Sequence, residues 1–165
     1  MALTATVNIV IGASLTSALD LSTSRNDLSL NAPISFANGT GANQANMIFQ
    51  DSRTLADGAN ETLDLYASGA LLDPFGTLLT LTKLKFVYIE NTSTDASLLV
   101  GGGTTPVGIF ADASDILTLP PGGKFIWSAP NADGITITTN KNLKLEHNGT
   151  GSSTLTYKIV AIGID

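Results

Sequence analysis

The chain has 165 residues and a mass of 17.0 kDa, enough for one domain with a true core. Charged residues make up only 13% of it, about half of the roughly 25% usual in soluble domains. With a mean hydropathy of +0.24 and an apolar fraction of 43%, disorder is excluded; the surface must be coated by uncharged Thr, Ser and Asn, or covered by other subunits.

The amino-terminal stretch from Met1 to Gly12 contains no basic residue, and the first cation is Arg25. A secretion leader is therefore not expected, and Val7 to Ile11, interrupted by Asn8, is far too short for a membrane span. In the same stretch Thr4, Thr6 and Asn8 alternate with Ala5, Val7 and Ile9. That pattern pairs readily with an exposed sheet edge. Residues 1–12 therefore read either as an extended amino-terminal assembly arm or as the first strand of the protein's own sandwich. Ser14 to Leu21 fits a helix through Leu15, Ala18 and Leu19 and fits a strand about as well. Asn38 to Ala45, rich in Gly and Asn, is the best candidate hinge between an arm and a β-rich body.

Along the chain the recurring period is two. Short strands are expected at Thr4 to Ile11, Leu28 to Phe36, Met47 to Ser52, Glu61 to Leu65, Leu78 to Thr82 and Ser97 to Val100. Others are expected at Ile116 to Leu119, Lys124 to Ser128, Ile135 to Thr138 and Leu143 to Glu146. Two longer strands change character along their length. Lys83 to Asn91 places Leu84, Phe86 and Tyr88 on one face, while the other starts with Lys83 and Lys85 and turns apolar at Val87 and Ile89. Leu155 to Ile162 behaves in the same way. Each reads as a strand passing from a half-exposed to a doubly buried position. Gly and Pro turns at roughly ten-residue spacing, without an internal repeat, predict an all-β fold. The expected form is a single antiparallel β-sandwich over residues 1–165, of jelly-roll type, with an extended amino-terminal arm.

No residue set rises to a catalytic, cofactor-binding or metal-binding site. Cysteine is absent and His147 is the single histidine, which removes thiolate chemistry, cysteine zinc sites and multi-histidine metal centres. Gly101-Gly102-Gly103-Thr104-Thr105 lacks the Lys and the helix of a phosphate loop and reads as a flexible connection. Asp112 and Asp115, like Asp51, Asp57, Glu61 and Asp64, lack calcium-loop spacing; the first two read as turn formers. His147, before Asn148-Gly149, reads as a solvated turn residue. Ser14, Ser52 and Ser128 lie in no nucleophile-elbow pattern. Trp127 reads as sandwich core, with a sugar-stacking platform as the sharper alternative. The excess of acids and the lack of any basic run argue against nucleic acid.

With these stretches laid out, the chain resembles a family of small tailed-bacteriophage virion proteins encoded among the head genes. The resemblance is carried by Gly39 to Asn46, Asp51-Ser52-Arg53-Thr54-Leu55, Glu61-Thr62-Leu63-Asp64-Leu65 and Leu72-Asp73-Pro74-Phe75-Gly76. It continues through Thr80 to Lys85, Leu119-Pro120-Pro121-Gly122-Gly123 and the closing Leu155 to Gly163. It covers nearly the whole chain from about Leu19, and the first dozen residues match least. It implies a non-enzymatic structural component of the virion, a head decoration or cement protein on the outer surface of the capsid. Its partners would be the major capsid protein and further copies of itself, a homotrimer at local threefold positions, with no membrane and no nucleic acid as partner. The chain would be synthesised in the host cytoplasm. The rival expectation is a receptor- or glycan-binding module of a tail or fibre, with a polysaccharide depolymerase as a weaker third.

Overall fold

The computed structural model describes residues 2–66, 71–131, 133–150 and 154–165. Met1, the first residue of the expected arm, lies outside them. Twelve strands follow one another, with no helix among the described residues. In the body, β4 (Met47–Leu55), β6 (Lys83–Asn91), β9 (Lys124–Ser128), β10 (Ile135–Thr136) and β12 (Leu155–Ile164) form one sheet. There β12 lies between β4 and β6, and β9 and β10 share the far edge of β6. The second sheet has the order β5-β11-β7-β8, formed by Asn60–Asp64, Asn142–His147, Leu98–Gly101 and Ile116–Leu119. Every pairing in these two sheets is antiparallel.

Alternation in the sequence becomes the two sides of each sheet. Leu155, Tyr157, Ile159 and Ala161 of β12, with Val87 and Ile89 of β6, face Leu63, Leu98, Val100, Leu143 and Leu145 of the opposite sheet, all buried in one core. Each such side chain contributes about 1.5–3 kcal/mol on burial, so this layer makes the molecule an antiparallel β-sandwich. Leu79 and Leu81 join the core, but the strand expected at Leu78 to Thr82 reduces to an isolated bridge between Leu72 and Leu78. Its amides go to separate partners: Leu79 donates to Leu71, Leu81 to Leu65 and Thr82 to Ile164. Alternating burial survives there without a ladder.

The amino-terminal segment pairs with its sequence neighbour. β1 (Ala5–Ala18) runs antiparallel to β2 (Thr23–Asn38) in unbroken register from Ala5 opposite Phe36 to Ala18 opposite Thr23. A loop follows Ala18, with Leu19 N–H donating to the Ser22 carbonyl. The Ser14 to Leu21 ambiguity thus resolves to strand and turn. The segment from Asn38 to Ala45 is folded onto the body. β3 (Gln44–Ala45) pairs in parallel with the end of β2, the Gly41 amide donates to Gln44 Oε1, and Asn43, with a positive φ of 55°, donates its amide to the Pro130 carbonyl.

Two expectations at single residues are corrected. Lys85 is fully buried rather than half exposed. The pairing of β6 with β12 slips between Ile162 and Gly163, so Phe86 lies opposite Ile162 and Leu84 opposite Gly163. Lys85 falls in that bulge, and its ammonium donates to the Asn131 carbonyl and, at 3.4 Å, to the Gly41 carbonyl. Burial holds its pKa below the ordinary lysine range, with Lys83 adding to the shift. His147 is buried rather than solvated. β11 runs one residue past the expected end at Glu146, and period two turns His147 inward with Leu143 and Leu145. Its Nδ1 accepts the Gly149 amide at 3.0 Å.

Candidate assembly hairpin

The residues singled out in the sequence are scattered over the sandwich. Gly101, Gly102 and Gly103 all take positive φ, and the Gly102 amide donates to the Asp115 carbonyl at 2.8 Å. A Cβ on Gly101 would lie 2.5 Å from that same oxygen; the glycines let two backbones approach. Asp115 Oδ2 accepts the amides of Ala111 and Asp112, and Asp112 Oδ1 accepts the amide and hydroxyl of Ser114. These carboxylates hold their own turn. Asp51 and Glu61 both bind Arg53, and Tyr157 donates its hydroxyl to Glu61 Oε1 at 2.8 Å. Asp64 pairs with Lys141, and Asp57 lies 3.6 Å from His147 Nδ1. Among the described residues no three His, Asp or Glu side chains gather closely enough to hold a metal ion. Ser14, Ser52 and Ser128 stand on β1, β4 and β9. Trp127 is half-buried against the core opposite Val87, so its ring serves packing.

What the structure does bring together is the hairpin of β1 and β2. Residues directly opposite each other in an antiparallel pair share a face. One face therefore carries Ala5, Val7, Ile9, Ile11, Ala13 and Leu15 against Phe36, Ile34, Ala32, Leu30, Leu28 and Asn26. The other carries Thr6, Asn8, Val10, Gly12, Ser14 and Thr16 against Ser35, Pro33, Asn31, Ser29, Asp27 and Arg25. The ribbon is amphipathic from its base as far as Leu15, beyond which the same face carries Ser17 opposite Ser24. On the polar face Arg25 binds Asp27 at 2.7 Å, and this contact, with the hydroxyl of Ser14, holds the Asp27 carboxyl below its ordinary range.

Only the base of the apolar face is covered. Phe36, Ile34, Ala5 and Val7 pack on the outer side of the larger sheet, against Phe86, Ile162, Ile48, Tyr88 and Val160. Further out none of the described residues covers it: Ile11 is 47% exposed, Leu15 75%, Leu28 55% and Leu30 47%. In the turn, Leu19 and Leu21 are 58% and 100% exposed. Six large aliphatic side chains on one projecting ribbon amount to several hundred Å² of apolar surface, on the order of the largest patch on a typical monomer, roughly 300–600 Å². Between the hairpin base and the sheet lies an open groove of about 440 Å³, lined by Val7, Tyr88, Ile126 and Val160 among others.

The expected boundary at Gly12 cuts through the middle of β1. The expected strand Leu28 to Phe36 is the arm's partner, which the sequence does not show: Leu28, Leu30, Ala32, Ile34 and Phe36 alternate like any half-buried strand, and nothing local says that the body stops beneath Ala32. Compared with protein-family models, with curated proteins and with solved structures, the chain matches none.

Proposed function

We propose that this protein is a non-enzymatic structural component of a phage virion, a capsid decoration protein that binds the outer surface of the head and reinforces the shell. The observation that carries the reading is the distal half of the hairpin, an apolar face held out from the body with no partner among the described residues. A side chain such as Leu15 costs stability in water and gains it only when something covers it. The resemblance to small virion proteins supplies the setting, and the low share of charge fits a surface partly covered in an assembly. The jelly-roll reading of the sandwich is supported by strand order: β4, β6, β9 and β12 fall in one sheet and β5, β7, β8 and β11 in the other, the alternation of a double Greek key.

In this reading the hairpin is the assembly arm, the body faces solvent, and the partners are the major capsid protein and further copies of the chain as a homotrimer. The rival glycan-binding reading is less favoured, since Trp127 is half-buried against the core. Purified virions, with band quantitation and imaging of the labelled protein, test the proposal. The expected result is hundreds of copies per particle, all on the head. A few dozen copies on the tail would transfer the protein to the fibre.

A further inference from the structure

The outer side of the larger sheet offers rows of side chains running across β4, β12, β6 and β9, set by the pairing register. The row Ile48, Ile162, Phe86 lies under the base of the hairpin. The next row, Gln50, Val160, Tyr88, Ile126, is only partly covered: Val160 and Tyr88 are half-buried beside the hairpin base, and Ile126 is 43% exposed. Beyond it comes a charged row of Ser52, Lys158, Glu90 and Lys124, in which Lys124 and Glu90 form an ion pair. The open strip is thus apolar, bounded on one side by the hairpin base and on the other by charge.

Its chemistry and size match the uncovered end of the hairpin. At about 4.8 Å between strands the row spans roughly 14 Å. Ile11, Ala13 and Leu15, opposite Leu30 and Leu28, run a similar length at about 3.4 Å per residue. The base of this apolar face already packs on this sheet face, so the tip extends a contact the chain is known to make. Charge fits as well. Arg25 and Asp27 are paired on the opposite face of the ribbon, leaving Asp20 in the turn with no ion pair among the described residues. Lys158, at the rim of the groove, also has none. The uncovered tip offers several hundred Å² of apolar surface, a substantial part of the roughly 800 Å² that one partner commits to a standard interface.

We infer that the distal hairpin docks on a second copy of this chain, laying Ile11, Leu15, Leu28 and Leu30 into the groove of Val160, Tyr88 and Ile126 on its neighbour's outer sheet face. The contact is heterologous: each copy gives one arm and offers one groove, so a closed ring leaves neither unfilled. The inference rests on reading the hairpin as an assembly arm, but it requires no shell.

The test uses the full-length purified protein, which has no native cysteine. Chains carrying Leu15→Cys are mixed with chains carrying Ile126→Cys and treated with a short thiol-to-thiol crosslinker, each variant alone serving as reference. A crosslinked pair should form efficiently in the mixture and poorly with either variant alone. In sedimentation at micromolar concentrations, Leu15→Asp and Ile126→Asp should each weaken self-association by on the order of tenfold or more. Circular dichroism, and melting at concentrations low enough to keep the wild-type chain monomeric, should stay unchanged, because neither side chain is buried in the single chain. A wild-type chain that stays monomeric throughout that range overturns the inference, as does crosslinking confined to Leu15→Cys with itself. If Leu15→Asp abolishes binding to particles while the free chain is monomeric, the shell protein is the occupant and the inference is wrong. Absence of the protein from heads would sink the decoration proposal and leave the crosslinking result standing.

Discussion

Gly163 sits where β12 slips against β6, and a Cβ added there would lie 2.1 Å from the Lys83 carbonyl oxygen. That oxygen is backbone and cannot give way as a side chain would, and Leu81 Cδ2 lies 3.1 Å away as well, so Gly163→Ala should destabilise by about 1–3 kcal/mol. The readout is a lower urea midpoint at unchanged slope. Gly12→Ala, where nothing lies within 4 Å, should cost nothing and serves as the reference. Tyr157 offers a second test. Burial first, and then the hydrogen bond and charge of Glu61, push its phenol far above the ordinary value of 10.0. Because the folded state keeps a proton that the unfolded chain gives up, the stabilisation is complete below about pH 10 and declines as pH rises beyond it. Tyr88, pushed up to about 12 by burial and Glu90, adds to the same decline. Tyr157→Phe should therefore flatten the alkaline loss of stability in denaturant titrations. At neutral pH it should cost about 1.5–3 kcal/mol for the hydrogen bond lost to the Glu61 carboxylate. An unchanged alkaline slope would show that Tyr157 has no part in it.

At the scale of elements, β12 and the outer hairpin should be the extremes of local stability. β12 is paired on both edges and covered on its inner side, whereas a two-stranded ribbon with no support is marginal in water. Amide hydrogen exchange at concentrations that keep the chain monomeric should show β12 opening only with global unfolding, and residues 11–30 exchanging orders of magnitude faster. Equal protection of both would mean that the ribbon is not an independent element. The same geometry shows why deleting residues 2–12 is a poor test of the arm: it strips Leu3, Ala5 and Val7 from Phe86 and Ile162. Replacing residues 10–31 by a two-residue turn spares those contacts. Much of this architecture was legible, because strands such as Ile116 to Leu119 and Lys124 to Ser128 are closed by Pro and Gly turns and carry period two between them. The pairing of β1 with β2 was not, since Leu19-Asp20-Leu21-Ser22 contains neither Gly nor Asn to announce a hairpin. Nor could alternation reveal the inward turn of His147 or the burial of Lys85, which depend on one extra strand residue and on a bulge written into the partner strand at Gly163. For the candidate site, the sequence marked the first apolar strand but not how far the body reaches beneath it.

The whole molecule is acidic, with a formal net charge of −6, and most of its cations are already engaged. Of the eight Lys and Arg residues, Arg25, Arg53, Lys124, Lys141 and Lys144 are ion-paired with carboxylates, and Lys85 is buried. A phosphate backbone is gripped by several free cations whose counterions are released together, and the log of affinity falls with salt in proportion to their number. No such set remains here. Purified protein should pass through immobilised DNA at about 0.15 M salt, with no retention gained by lowering the salt. The same charge makes a position against packaged DNA unfavourable and suits the outer surface of a head, where it keeps particles apart. A lysine-directed reagent applied to intact virions should therefore modify Lys124 and Lys141 before the shell is opened. Lys85 carries its own control. With its ammonium on the Asn131 carbonyl and its side chain sealed from water, it should stay unmodified until the chain itself unfolds. Protection of Lys124 and Lys141 until capsid rupture would move the protein inside, whereas early modification of Lys85 would show that the particle-bound chain has lost the fold described.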